Sequence, residues 1–237
     1  MNKQNIWLHV SDLMTGLMVI FLFVAIAYIS RVNRHSVELS QYVEARQNLH
    51  DKLVSRFRND TARWNMTIGR DLSLRFNNPT VLYRSGSWEI TPAFKDILDE
   101  FLPVYFDILL SDSLRNNISE VRIEGHTDPQ AYPALSSDAY IANVILSQRR
   151  ALSVLQYFRS MPHYREYSDE QIATLEYWFT ANGLSYGRAL DNEGQYAFDS
   201  GDSVDFERSR RVEFRIITNS EKMVEDFINN INQRKND

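Results

Sequence analysis

An acidic residue within an apolar stretch is the first feature of this sequence that could perform chemistry. Asp12 lies in the segment Ile6–Ile29, and no charged residue follows it there. An ionisable side chain at that depth of a bilayer costs about 3 kcal/mol, so it is usually retained for a function. Thr15 lies on much the same helix face. We therefore predict that Asp12 and Thr15 bind and release a coupling ion, a proton or sodium; the alternative is an interfacial Asp that water reaches.

A second group of polar residues lies in the C-terminal half. Asn143, Ser147 and Arg150 are four and three residues apart, so they share one face of a helix. Such a polar stripe is either part of a binding site or an ordinary solvated face. Asp128 follows an upstream strand. For this helix taken alone, the solvated face is the expected interpretation.

Two patterns raise the question of a metal. Glu124, His126 and Asp128 alternate, so a strand would place them on one face. The segment 191–207 is rich in acids and contains two glycines, but it lacks an EF-hand pattern. Because no second His lies close to His126, we predict that Glu124, His126 and Asp128 bind no metal. We predict that the segment 191–207 is a solvated loop.

The apolar segment must form a helix if it is to place Asp12 in a membrane. About 20 mostly apolar residues span a bilayer core, and Trp7 and Tyr28 lie near the two ends. The competing interpretation is a cleaved signal peptide ending near Ala25–Ala27. We favour a retained transmembrane helix, because the segment is long and contains an acid. Lys3 lies before the span and two arginines follow it. This charge distribution by itself favours a cytoplasmic C-terminal side, which is opposite to the orientation inferred below.

The rest of the chain predicts an α/β fold, specifically an α+β two-layer sandwich. Strands are expected at 71–76, 81–83, 119–125, 178–181 and 211–218, and helices at 91–110, 138–160 and 221–234. Three regions result: residues 1–30 with a short tip and the transmembrane helix, a helical connector at 31–67, and a globular domain at 68–237. A loosely ordered tether is the alternative for the connector.

Composition excludes several function classes. The 237-residue chain has a net charge of −5 and no long basic run, so nucleic acid is not an expected partner. It contains no cysteine, which excludes disulfides and cysteine-based zinc sites. It also lacks a glycine-rich phosphate loop, a zinc-protease helix motif and a nucleophile elbow. We predict that the protein is not an enzyme and uses no cofactor.

Three segments together resemble the OmpA-like peptidoglycan-binding family. They are Gly125–Asp128 (GHTD), Asn143–Ala151 (NVILSQRRA) and Ser209–Glu213 (SRRVE), and the resemblance covers residues 71–217. It implies that Asp128 binds the ammonium group and Arg150 the carboxylate of diaminopimelate in a peptide stem. It further implies that three residues shape the pocket and that two arginines either line it or pair with the acid: Thr127, Asn143, Leu146, Arg210 and Arg211. Ser209 departs from the family's usual Asn.

One apolar span with an acid, joined to an OmpA-like domain, resembles the B-subunits of ion-driven stators. This family includes flagellar MotB, and the segment Trp7–Phe23 is most similar to the ZorB type of the Zorya anti-phage defence system. The resemblance implies a homodimer threaded through a pentameric ZorA/MotA-like subunit in the bacterial inner membrane. Its N-terminus would be cytoplasmic and its C-terminal domain periplasmic. A flagellar stator subunit and a passive wall tether without ion chemistry remain the alternatives.

Overall fold

The computed structural model describes residues 3–130 and 132–219. Its first helix, α1, runs over Lys3–Phe57. Within it, Leu13–Ser30 is an 18-residue stretch of mean hydropathy 2.4 whose residues are not buried. At 1.5 Å per residue this stretch is about 27 Å long, close to the thickness of a bilayer core. The predicted N-terminal apolar helix is therefore present, and its apolar window begins one residue after Asp12.

The chain divides into two compact units, residues 1–44 and 45–237. The last turns of α1 belong to the second unit, because Leu49, Leu53 and Phe57 are fully buried in its core. Their fourfold spacing places them on one helix face. The compact unit therefore begins earlier than residue 68, where the sequence analysis placed the start of the globular domain.

The second unit is built on a five-stranded mixed sheet with the order β1-β2-β5-β3-β4. All neighbouring strands are antiparallel except β3 and β4, which are parallel. The strands are β1 (Met66–Ile68), β2 (Ser73–Phe76), β3 (Ile118–Gly125), β4 (Phe179–Gly183) and β5 (Val212–Thr218).

Helices form a second layer against this sheet. The longer ones are α4 (Pro92–Leu109), α5 (Ala139–Ser160) and α6 (Asp169–Trp178). The short ones are α2 (Asp60–Arg63), α3 (Pro79–Leu82), α7 (Ala197–Ser200) and α8 (Phe206–Ser209). Phe101 of α4 packs edge-on against Phe214 of β5, with ring centroids 5.1 Å apart. Such contacts join the two layers, and the predicted two-layer α/β fold is confirmed.

One predicted strand is wrong. Residues 81–83 were expected to be extended, but Pro79–Leu82 forms the short helix α3. The Asn78 side chain accepts a hydrogen bond from the Val81 amide and caps the helix, while Pro79 occupies its first position. Only Tyr83 is extended, pairing with Ile90 as an isolated bridge. The predicted helix at 221–234 lies outside the described residues.

Candidate functional site

The close approach of β3 to α5 positions the candidate site. A Cβ atom added at Gly125 would lie 2.2 Å from the Ser147 carbonyl oxygen, so only glycine lets the strand end against this helix. The start of α5 is fixed by Asp138, whose carboxylate accepts a 3.0 Å hydrogen bond from the Ile141 amide. Asp128 comes three residues after Gly125, the last residue of β3, and so lies close to α5.

Asp128 is fully buried, and both of its carboxylate oxygens have partners. Its Oδ2 accepts a 2.6 Å hydrogen bond from Arg210, and its Oδ1 accepts one of 2.9 Å from the Gln130 amide. Arg210 keeps about a quarter of its side chain exposed. Of the two arginines considered as partners of this acid, Arg210 forms the pair.

Arg150 is the second charged group of the site and is only 5% exposed. Its Nε donates to the Ser87 carbonyl at 2.9 Å and its guanidinium donates to the Arg84 carbonyl at 3.4 Å. The guanidinium also lies 5.0 Å from the ring centroid of Tyr83. Burial lowers the pKa of Arg150 from its usual value, although nearby negative groups oppose this. The side chain is thereby fixed on the 84–87 turn.

Arg150 and Arg210 line a small cavity of about 170 Å³ together with residues of α3 and the following turn. The other lining residues are Pro79, Thr80, Leu82, Tyr83, Ser85 and Arg211. Asp128 does not line this cavity itself but pairs with Arg210, which does. The cavity therefore presents guanidinium groups that suit an anionic ligand, and a cationic group can reach Asp128 only by displacing Arg210.

The three residues predicted to shape the pocket are buried. Asn143 donates to the Gln130 and Ala139 carbonyls at 2.8 and 3.0 Å, which ties the loop after Asp128 to α5. Leu146 packs in the interior, and Thr127 is 1% exposed. The Oδ1 of Asn143 and the Oγ1 of Thr127 have no hydrogen-bond partner within the part of the chain described. A solvated polar stripe is therefore excluded for Asn143, and also for Ser147.

Arg211 points to a different environment from Arg210. Its Nε donates to Glu213 at 2.6 Å, and its other nitrogens donate to the Ser209 and Arg188 carbonyls. Burial lowers the pKa of Arg211, whereas Glu213 raises it. Burial would raise the pKa of Glu213, but Arg211 and other positive neighbours lower it to about 2. Arg211 thus contributes to the cavity wall while its charge is paired elsewhere.

Glu124, His126 and Glu213 bring one potential metal-ligand atom each to within 4.8 Å of one another. Asp128, which the sequence alternation grouped with Glu124 and His126, is not in this cluster. The carboxylates of Glu124 and Glu213 lie within 4 Å of arginine nitrogens. These nitrogens belong to Arg75, Arg188, Arg211 and Arg215. A divalent cation would be repelled by these four guanidinium groups. The cluster therefore suits an ion-pair network better than a metal.

The predicted solvated loop at 191–207 contains α7 and the start of α8, and hydrogen bonds to the Asp191 side chain organise its beginning. Asp191 is buried and its Oδ1 accepts hydrogen bonds from the Glu193 and Gln195 amides at 2.9 and 2.8 Å. Ser209 holds the end of this loop, since its hydroxyl accepts from the Leu190 amide and donates to the Asp205 carbonyl. The serine that replaces the family's usual asparagine thus has a structural role here.

Asp12 and Thr15, the predicted ion-coupling residues, both lie in α1. The Thr15 hydroxyl donates to the Ser11 carbonyl at 2.8 Å, one turn earlier. This bond uses the hydroxyl proton within the helix, so the Thr15 oxygen is left with lone pairs as an acceptor.

Sequence reasoning missed the backbone groups of the site. The Arg84 and Ser87 carbonyls and the Gln130 amide contact the predicted charged residues, but backbone groups have no sequence signature. The available signal was Gly86, which has φ +68° in the 84–87 turn. A glycine there marks a tight turn beside the predicted site.

The fold and the site define a class of protein with an N-terminal apolar helix and an α/β domain. The domain has a cavity lined by arginines, one of which pairs with a buried acid. No protein-family model matches the chain. It is 36% identical over 232 residues to the Zorya protein ZorB of Escherichia coli strain Crooks, covering 94% of this chain and 92% of that protein. It is 26% identical to the ZorB of Escherichia coli strain ETEC, covering 90% and 80%. The chain belongs to the ZorB family.

Several solved structures are also similar to it, including two that each cover at least two thirds of this chain. The cell wall anchor of the T6SS from Pseudomonas aeruginosa has 20% identity and a TM-score of 0.43, covering 70% of this chain and 96% of that one. The periplasmic domain of Helicobacter pylori MotB has 15% identity and a TM-score of 0.41, covering 67% and 91%.

Proposed function

We propose that this chain is the wall-anchored, ion-conducting subunit of a stator-type complex in the bacterial inner membrane, serving Zorya anti-phage defence. The observation that carries the proposal is its 36% identity to a Zorya protein ZorB over nearly the whole of both chains. The apolar window of α1 supports the membrane half of the proposal. The cavity lined by Arg150 and Arg210, with Asp128 paired to Arg210, supports the wall-binding half.

In this proposal the apolar part of α1 crosses the inner membrane once, with its N-terminus in the cytoplasm and the α/β domain in the periplasm. Two copies associate and thread through a pentameric ZorA/MotA-like subunit. Asp12 binds and releases a proton or sodium ion, assisted by the acceptor oxygen of Thr15. Neutralising and restoring one carboxylate changes the electrostatic attraction between packed helices, and in a low-dielectric setting that change is large enough to drive movement.

The pocket would bind the diaminopimelate part of a peptidoglycan stem. The ligand's ammonium group would take the place of the Arg210 guanidinium on Asp128, and its carboxylate would bind the freed Arg210 and the available face of Arg150. Thr127 and Asn143 each keep a buried acceptor atom unpaired, and the ammonium group could satisfy either. Leu146 is fully buried and does not line the cavity, so we assign it no contact with the ligand. Binding would therefore replace the Asp128–Arg210 ion pair with two ion pairs, one at each charged group of the ligand.

Replacing Asp12 by Asn tests the ion-coupling half. We expect Asp12→Asn to abolish phage protection in a plaque assay, because an amide cannot exchange a proton or bind sodium as a carboxylate does. The variant should still fractionate with the membrane and sediment with peptidoglycan. The matched control is Asp96→Asn, on the exposed side of α4. Full protection by Asp12→Asn would favour the passive tether, and restored swimming in a strain without flagellar stator subunits would favour the flagellar alternative.

A further inference from the structure

A wide groove adjoins the proposed stem pocket. It has a volume of about 790 Å³, and its walls are the turn after Tyr83, the segment after Ala131 and one face of α5. The lining residues include Ser85, Trp88, Glu89, Tyr132 and Arg149. This volume falls within the range of about 300–1,000 Å³ that is usual for ligand sites.

The groove and the pocket share structural parts. Ser85 lines both of them. Arg150, a wall of the pocket, donates to the Ser87 and Arg84 carbonyls and so fixes the turn that forms one wall of the groove. A ligand in the pocket that extends past Ser85 therefore enters the groove.

Two aromatic rings are held in place in this groove. Trp88 is 37% exposed, and the Arg149 guanidinium lies 4.4 Å from its ring centroid. This cation–π contact restricts the indole while leaving part of it accessible. The Tyr132 ring lies over Gly86: a Cβ added at this glycine would be 3.3 Å from two Tyr132 ring carbons. Gly86 also has φ +68°, so the turn and the ring contact both favour glycine there.

The chemistry of the groove suits an uncharged polar ligand with apolar faces. Its ionisable groups other than Tyr132 are Glu89 and Arg149, which balance in charge. A polyanion would need clustered cations, which this lining does not offer. Aromatic faces combined with serine hydroxyls and one charged group of each sign can contact both the apolar ring faces and the hydroxyl and amide groups of a sugar.

We propose that this groove is a subsite for the amino-sugar chain of the peptidoglycan whose peptide stem occupies the pocket. The inference rests on the proposed wall-binding function. Because a stem is covalently attached to a sugar, a stem that runs from the pocket past Ser85 would carry that sugar toward the groove, which adjoins the pocket at this residue. Trp88 and Tyr132 form the stacking surfaces, and Arg149 orients Trp88.

Calorimetric titration of the full chain in detergent tests this, with three probes: a free stem peptide containing diaminopimelate, the same stem on its disaccharide, and an N-acetylglucosamine oligomer. We expect the disaccharide-linked stem to bind about tenfold more tightly than the free stem, as for a well-formed aromatic contact. Trp88→Ala should remove this advantage and leave the affinity for the free stem unchanged. Trp88→Phe should restore part of it, and Tyr177→Ala, which removes an aromatic side chain that is 78% exposed on α6, should retain it.

The outcomes separate the two proposals. Equal affinity of the wild type for the free and the disaccharide-linked stem overturns the sugar subsite alone. An equal loss of affinity for both stems in Trp88→Ala also overturns it, because Trp88 would then support the stem pocket. The subsite is supported if the wild type binds the sugar oligomer and Trp88→Ala weakens that binding. A wild-type chain that does not bind the free stem overturns the proposed pocket function.

Discussion

Asp128 and Arg210 form a 2.6 Å ion pair in which the carboxylate is fully buried and the guanidinium reaches the surface. Short, charge-assisted contacts of this kind are roughly twice as strong as neutral hydrogen bonds. In the proposed complex, the ligand's ammonium group would take the position that Arg210 holds on Asp128 here. A cationic ligand of Asp128 would have to displace Arg210, and this would favour a ligand that also provides an anion to receive the released arginine.

Replacing Asp128 by Asn should weaken wall binding while the fold is retained. The amide oxygen can still accept the hydrogen bond from the Gln130 amide, but the side chain no longer attracts an ammonium group. Loss of a charged hydrogen bond costs about 1.5–3 kcal/mol, so we expect affinity to fall by roughly 10- to 100-fold. Co-sedimentation with purified peptidoglycan measures this, with Asp96→Asn as the control. Unchanged sedimentation of Asp128→Asn would remove this acid from the site.

Arg150 should not tolerate replacement by lysine. A lysine retains the charge, but its single ammonium group cannot reproduce the fork that reaches both the Ser87 and Arg84 carbonyls. We expect Arg150→Lys to lower the free energy of unfolding by about 1–2 kcal/mol and to weaken peptidoglycan sedimentation. Denaturant unfolding in detergent measures the first effect.

The comparison for Arg150 is Arg159→Lys on the same helix. Arg159 is about half exposed and pairs with Glu176 at the surface. Its replacement should change stability by less than about 0.5 kcal/mol, since exposed ion pairs contribute little. If both variants behaved alike, the burial of Arg150 would have no energetic consequence and its proposed positioning by the turn would be wrong.

The main elements could be predicted from the sequence because their signals are local. Thr91 caps α4 by accepting from the Phe94 amide, as its place before Pro92 indicates. The alternating apolar residues of β5 likewise predict a strand over 211–218, and β5 runs over Val212–Thr218. By contrast, α3 depends on one side-chain cap that overrides the strand preference of Val81.

The site was less predictable because its contacts are not local. Asn143 and Ser147 form a polar stripe whose burial depends on the Gly125 contact and on the loop after Asp128, both distant in sequence. Spacing along α5 shows that they share a face, but not what covers it. The two arginines at 210 and 211 are equivalent in sequence, and only the structure separates the partner of Asp128 from the partner of Glu213.

The end of α1 should contribute to the stability of the α/β domain. Leu53 is fully buried in the core, although the sequence pattern assigned it to a connector. Leu53→Ala should therefore lower the free energy of unfolding by about 2–5 kcal/mol, the usual cost of a cavity at a buried leucine. Leu152→Ala is the matched control, because this leucine of α5 is 40% exposed. Equal effects of the two substitutions in denaturant unfolding would show that α1 does not pack on the domain in solution.

His126 should make the domain less stable in mild acid. Burial, followed by the nearby Arg211 guanidinium, lowers its pKa from 6.5 to about 4, although Glu124 and Glu213 oppose this. The unfolded chain therefore takes up a proton as the pH falls below about 6.5, while the folded chain does not until about pH 4. The free energy of unfolding should be fully retained above pH 6.5 and should fall by about 3 kcal/mol between pH 6.5 and 4.

Replacing His126 by Gln should remove this pH dependence. A polar substitution at a buried site will itself cost stability, so the measured quantity is the difference in unfolding free energy between pH 7 and pH 4.5, obtained by denaturant unfolding of the full chain in detergent. We expect that difference to shrink in His126→Gln and to persist in His163→Gln, which leaves His126 intact. Glu213 does not interfere with this measurement. Its pKa is about 2 in the folded chain, so its contribution to the free energy of unfolding is lost only as the pH falls below 4.5. An unchanged difference in His126→Gln would mean that another group titrates in this range.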